Sequence, residues 1–585
     1  MKTKIIYKYI VGLLLGGFFM LSSCTRDFLD QLPLDNISEF QYWNTPADAE
    51  LYANSFYLAY ESSGIFGNGL WGVAESDDFE RVQYSNLFAG TRLIPSSGGG
   101  WDFSNIRKVN YFLENYQKIE GSFDEYKQYV GEAYYFRAYH YFKFVQTFGD
   151  FPIYEKTLNM DSEELFAPRN PRQEVIDFVI KDLDKAIEYM NSGSVEGGTR
   201  VNKEVAQLFK SKVCLYEGTW EKYHNGTVFG VSNPKTKEYL TMAASSAMEV
   251  INSDYHLYKT GDYKNDYFNL FNQIDYSSNP EVLLWIKYDD DLGLSHLHQR
   301  ALTIYGNGGG LTKNLVEDYL CSDGLPIAIS PLYKGDNTMV DVKANRDQRL
   351  VQTVWGTGEP IQILGADTIL KWIKAPFIAD ESGLTCVGGY QQKKGAQPDK
   401  GLFLTSEDTR SEVGYVIYRF AEVLLNYAEA KAELGSISQN DIDMTINKLR
   451  DRVNMPHLII DNIAEDPNWL YPDLSPLINE IRRERRVEFA LENSQENFRI
   501  NDIMRWGVAD KMNGRRPRGI KFDVDLYNEM KVGVDIYLDE NGYIDPHQKS
   551  LPAGYNFNPN RDYLSPIPTI ELNLNSNLIQ NPGWD

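Results

Sequence analysis

Tyr134, Ala138, Tyr141, Val145 and Phe148 recur at intervals of 4, 3, 4 and 3. Only an α-helix puts all five on one face, so this stretch is predicted to be helical with a buried aromatic stripe. The pattern returns. Val175, Val179, Leu183, Ala186 and Met190 keep it, as do Ala206, Phe209, Val213, Tyr216 and Trp220. A fourth helix is predicted over 238–252, where Ala243, Ala244 and Ala247 suit close packing. Asn170-Pro171 with Gln173 reads as a helix start: a cap, a first-turn proline, and an amide that can reach back. Helices resume at 413–434, where Ile417, Ala421, Leu424 and Ala428 form an apolar stripe. Arg419, Glu422, Asn426, Glu429 and Glu433 form a polar one. Two more helices are predicted over 441–454 and 475–492. Paired helices with small and aromatic contact residues suggest a tetratricopeptide-like stack, in repeats over about 105–255 and 413–492.

The rest of the chain reads differently. Residues 256–412 are rich in Gly, Asp, Asn and Pro, with short β-like runs such as Val282-Leu283-Leu284-Trp285-Ile286. Long loops in a folded body are often functional. Thr45-Pro46 is a helix start for 45–60, and 61–104 reads as loop. Residues 510–585 read as mostly irregular. The expectation is a single, mainly α body over 46–585, a helical-repeat scaffold carrying a loop-rich, partly β-containing ligand-binding region.

Lys2, Lys4 and Lys8 precede an apolar run from Ile10 to Leu21. The run is 12 residues long. A membrane-spanning helix needs roughly 20, so residues 1–23 read as a secretory signal. Leu21-Ser22-Ser23-Cys24 resembles a bacterial lipobox, which implies lipid attachment at Cys24 and a lipidated tether over 24–45. More than one acyl chain makes such an anchor stable. Cleavage leaves 562 residues, and with three lysines gone the net charge moves from −24 to −27. So acidic a chain repels phosphate backbones, which argues against nucleic-acid binding. Cys214, Cys321 and Cys386 are odd in number and form no metal-like spacing. One disulfide among them stays open, and Cys214 reads as a small buried apolar residue.

Several stretches resemble the SusD/RagB family of Bacteroidetes outer-membrane lipoproteins. Residues 133–152 read AYYFRAYHYFKFVQTFGDFP, 418–434 YRFAEVLLNYAEAKAEL, 446–456 INKLRDRVNMP, 481–491 IRRERRVEFAL and 564–584 LSPIPTIELNLNSNLIQNPGW. Asp323-Gly324 and residues 345–349, NRDQR, are also similar. One departure stands at Asn501, where the family usually has Trp. The resemblance implies a helical body with four tetratricopeptide-like repeats, tethered on the outer membrane and facing outside. It implies a lid on a SusC-like TonB-dependent β-barrel, a glycan ligand and no catalysis. A peptide-capturing lid of a RagA-like transporter is the alternative, and a secreted glycan-cleaving enzyme a remoter one.

A glycan site needs flat rings for C–H faces and fixed polar groups for hydroxyls. In the family, a ligand loop follows a short acidic step, matched here by Ser76-Asp77-Asp78. The candidates are therefore Trp71, Asp78, Arg81, Gln83, Tyr84 and Asn86. A second candidate region, 289–310, contributes His296 and Tyr305. Trp101 reads as a packing residue, and Trp355, Trp372 and Tyr390 as weaker ring candidates. Asp289-Asp290-Asp291 lacks the spaced ligands of a calcium loop and reads as a solvated turn. No metal site, cofactor or catalytic residue is expected: G-x-S-x-G, H-E-x-x-H and a phosphate loop are all missing from the sequence. The run Arg482-Arg483-Glu484-Arg485-Arg486, with Glu480, Glu484, Glu488 and Glu492 every four residues, reads as an ion-paired brace.

Overall fold

A computed structural model describes residues 42–60, 76–306, 308–377, 385–402, 410–492 and 498–585. The signal segment, Cys24 and Trp71 lie outside the described residues.

Helices form where the apolar periodicity demands them, and local chemistry sets their ends. Helix α1 (Pro46–Asn54) begins at Thr45, whose N–H donates to Asp48 Oδ2 at 2.7 Å. Helix α2 spans Ser104–Asn115. Helix α3 (Phe123–Phe148) opens with a Ser122/Glu125 capping box and stops at Gly149. Helices α4 (Arg172–Tyr189), α5 (Lys203–Tyr223) and α6 (Thr236–Ile251) follow. Each of α3 to α6 packs against the next, and α6 packs on α7 (Phe420–Glu433). Helix α8 (Pro476–Glu488) lies against α7, and α9 (Phe498–Arg505) against α5. The stripes read from sequence face these contacts: Ala138, Tyr141, Val145 and Phe148 are fully buried, and Tyr134 sits half-buried at the edge. Trp101 also packs, edge-on to Phe148 at 5.0 Å.

Three expectations need correction. The stretch 413–434 is not helical throughout. Tyr415–Arg419 is a strand paired antiparallel with Val282–Ile286, because YVIYR is β-branched and aromatic. Pro171 caps α4 rather than opening its first turn, and the Gln173 amide donates to Glu221 Oε1 (2.6 Å) instead of reaching back. The helix expected over 441–454 is broken at Thr445 into Gln439–Met444 and Ile446–Arg452. Cys214, Cys321 and Cys386 are free and buried. Burial pushes the Cys214 thiol up to about 12, so it behaves as an inert apolar group.

The polar stripe of α7 faces no water. Glu422, Asn426 and Glu429 are buried; Glu422 pairs with Lys212 of α5 (3.4 Å), and the partners of Asn426 and Glu429 come from α8 and α9. Arg505 clamps Glu429 with two bonds of 2.6 and 2.7 Å, and Arg485 donates to Asn426 at 2.9 Å. Just before α7, Arg419 reaches Glu281 (2.9 Å), Glu488 (2.8 Å) and Glu492 (2.7 Å). Helix α8 is thus the ion-paired brace expected, and most of its partners lie on neighbouring segments. Within it, Arg483 pairs with Glu480.

Candidate functional site

The two candidate regions are far apart in sequence and adjacent in space. Phe79–Arg81 forms a short strand, here β1, antiparallel to Gly309–Leu311, here β3, with β2 being Val282–Ile286. Arg81 lies opposite Gly309, four residues beyond Tyr305. The approach is close enough to require glycine: a Cβ on Gly309 would stand 2.4 Å from the Glu80 carbonyl oxygen and 2.4 Å from the Phe79 ring.

The base of β1 is fixed by buried charge. Arg499 donates twice to Asp77, at 2.6 and 2.7 Å, and Arg486 donates to Asp78 Oδ1 at 2.7 Å. Thr312 binds the backbone here too, through its hydroxyl to the Asp77 carbonyl (2.6 Å) and its N–H to the Asp78 carbonyl (3.0 Å). Burial disfavours ionised Asp77, but Arg486 and Arg499 outweigh it and hold the carboxyl well below its usual range. Burial, with Asp77 alongside, pushes Asp78 the other way despite Arg486.

Asp78 is therefore an anchor within the protein and not part of an open ligand surface, which corrects its candidacy. His296 is corrected likewise. It is 1% exposed, its Nε2–H donates to the Val413 carbonyl at 3.0 Å, and its Nδ1 accepts the His298 N–H at 3.3 Å. Burial lowers its pKa to about 4, so it is a neutral packing imidazole. Trp355, Trp372 and Tyr390 are buried too; the Trp355 indole donates to the Leu302 carbonyl at 2.9 Å.

What reaches the surface is a smaller set. Gln83 and Asn86 are exposed, while Arg81, Tyr84 and Tyr305 are half-buried. Asn86 Oδ1 accepts the Thr91 hydroxyl at 3.0 Å. Tyr84 stands edge-on to His547, centroid to centroid 5.8 Å. The Arg300 guanidinium lies 4.7 Å from the Tyr305 ring centre and donates to its hydroxyl. Sequence reading missed Arg300, which orients that ring, and the buried His547–Glu80 pair, which ties β1 to the C-terminal segment. Nothing local marks either, since each acts through a partner distant in the chain or hidden in a loop. These residues carry amides, a cation and rings, groups suited to hydrogen bonding and stacking. Among the described residues no group of three or more His, Cys, Asp or Glu side chains is placed to hold a metal ion. No described helix is long and apolar enough to cross a membrane.

A separate cavity of about 540 Å³ lies between α2, residues 152–166 and the C-terminal helix Thr569–Leu574. Phe103, Ile106, Leu158, Phe166 and Leu574 line it together with the charged Asp102, Arg107, Lys156 and Glu571. Its two amides, Asn110 and Asn575, donate to the Tyr154 and Ala167 carbonyls.

Comparison with known proteins bears on the same architecture. The chain is 25% identical over 524 residues to SusD-like protein P38 of Formosa agariphila, covering 86% of this chain and 92% of that protein. SusD-like protein P2 of the same organism is 23% identical, covering 95% and 96%. Among solved structures, a SusD-like protein from Bacteroides fragilis superposes with a TM-score of 0.69 at 21% identity, covering 94% of this chain and all of the other. A SusD-like carbohydrate binding protein from the same species gives 0.69 at 21%, covering 92% of this chain and all of its own. These structures share the helix-rich fold. Residues 101–215 match a family described as starch-binding associating with outer membrane. Residues 256–584, more than half of the sequence, match the SusD family profile, and the chain belongs to the SusD family.

Proposed function

We propose that this chain is a cell-surface glycan-binding lipoprotein, tethered to the outer membrane through Cys24, that captures oligosaccharide and delivers it to a SusC-like TonB-dependent transporter. The observation that supports the reading is the β1–β3 pairing, which brings the chain segment leading to Gln83 and Asn86 beside the one that follows the Arg300–Tyr305 pair. Arg300 covers one side of the ring and a sugar would lie on the other, its hydroxyls exchanging hydrogen bonds with the amides and the guanidinium. Binding of this kind is non-catalytic and needs no shifted pKa. The description of one matching family as starch-binding and outer-membrane-associated supports both ligand class and location.

The test is titration of the protein against a panel of neutral and acidic polysaccharides, with peptides as comparators. Replacing Arg81 and Tyr305 together with Ala is expected to weaken glycan affinity at least tenfold, about 1.4 kcal/mol, with Tm within about 2 °C of the parent. Unchanged affinity removes the site; binding of peptides alone favours a peptide-capturing lid.

A further inference from the structure

Helix α8 borders a cavity of about 20 Å³ whose walls include Trp469, Tyr471, Arg482, Arg483, Arg486 and Arg499. Three of the four guanidinium groups are hydrogen-bonded to carboxylates. Arg486 and Arg499 bind Asp77 and Asp78, and Arg483 binds Glu480 and Asp466. Arg482 does not fit this scheme. It is 2% exposed, and none of its three nitrogens donates a hydrogen bond to protein among the described residues. Its nearest carboxylate, Glu433, is 3.5 Å away and already takes bonds from Lys222 (2.6 Å) and Tyr223 (2.8 Å). The rings of Trp506 (4.1 Å), Tyr223 and Tyr471 (both 4.8 Å) surround it. Trp469 Nε1, the Tyr471 hydroxyl and Arg483 Nε are also buried without a protein acceptor among the described residues.

We propose that this cavity is a binding site for one monatomic anion of chloride or bromide size. Indole and guanidinium groups only donate, so the wall asks for an acceptor. A water would accept from them but bring two protons of its own, for which the wall offers the Asn479 amide oxygen and the carboxylate of Asp318. That carboxylate is bound by Arg486 at 2.6 Å. A halide accepts from several donors at once and adds to the charge balance of Arg482, whose ion pair with Glu433 is 3.5 Å long and carries no hydrogen bond. A space of this size holds one small sphere, which excludes sulfate, phosphate and carboxylates. Because Arg486 and Arg499 also hold Asp77 and Asp78, the site lies under the base of β1.

Two measurements on the soluble ectodomain test it. Crystals grown in sodium bromide should show an anomalous peak within bonding distance of Trp469 Nε1, the Tyr471 hydroxyl and Arg482. At matched ionic strength, Tm should be about 2 °C higher in chloride or bromide than in gluconate, as occupancy at many times Kd stabilises the folded state. That difference should vanish in a Trp469→Phe, Tyr471→Phe variant, which keeps both rings and removes two donors. A missing bromide peak, an ordered water in its place, or equal melting in the anions overturns the proposal. None of these outcomes depends on whether the protein binds glycan.

Discussion

His296 and His224 show how one side chain sets a pH limit. Each is 1% exposed, and burial lowers each pKa to about 4. An unfolded chain takes up the proton near 6.5. Between these values the unfolded state binds more protons, so stability is full above about pH 6.5 and falls as pH drops towards 4. At pH 5 each imidazole removes about 2 kcal/mol. The expected outcome is a smaller loss of unfolding free energy between pH 7 and pH 5, by about 2 kcal/mol, in a His296→Gln variant than in the parent, read by chemical denaturation. Equal losses would show that His296 titrates normally. At this scale the sequence was only partly informative. It supplied Arg81, Gln83, Tyr84, Asn86 and Tyr305, but could not separate them from His296 and Asp78. Polar residues look alike in a string, and only tertiary neighbours decide which one is buried. Trp71 lies outside the described residues, so its role stays with the proposal.

Among the elements, α8 has the highest stakes. Glu488 receives Arg349 (3.1 Å), Arg419 (2.8 Å) and Arg452, all buried. Despite burial, those cations hold its carboxyl far below the ordinary range. Replacing Glu488 with Ala leaves three guanidinium groups short of a counterion. The expected cost is about 3–5 kcal/mol, read as a shift in denaturation midpoint. Replacing Glu188, whose pair with Lys185 is exposed (2.8 Å, side chains 58% and 42% accessible), should move the midpoint far less, because solvent screens the pair. Similar losses for the two would contradict the bracing role. The helices were legible because a 3.6-residue period writes itself into apolar spacing. The strand at Tyr415–Arg419 was not, since five residues of alternating apolar type continue smoothly into a helical stripe. The polar stripe of α7 was visible, but its burial was not: solvent and a row of arginines call for the same carboxylates.

For the whole molecule, the two helical regions pack against each other. Helix α6 packs on α7, α9 packs on α5, and Arg505 of α9 donates to Thr219 of α5 (3.0 Å) as well as to Glu429 of α7. Residues 42–255 expressed alone would expose these faces and leave Lys212 without Glu422, 3.4 Å away in the intact protein. Such a fragment is expected to show no cooperative thermal transition by calorimetry; a sharp one would mean that the first region is autonomous. Helix content and continuity along the chain were readable beforehand. The meeting of residues 79–81 with 309–311 was not, because no local pattern specifies a partner some 230 positions away. That clasp has a further consequence. Its backbone is held by glycine on one side and by paired charges below, whereas Gln83 just beyond it is exposed. On the proposed function, Gln83 can be exchanged like a bit in a fixed chuck, so a change of ligand preference needs no redesign of the handle.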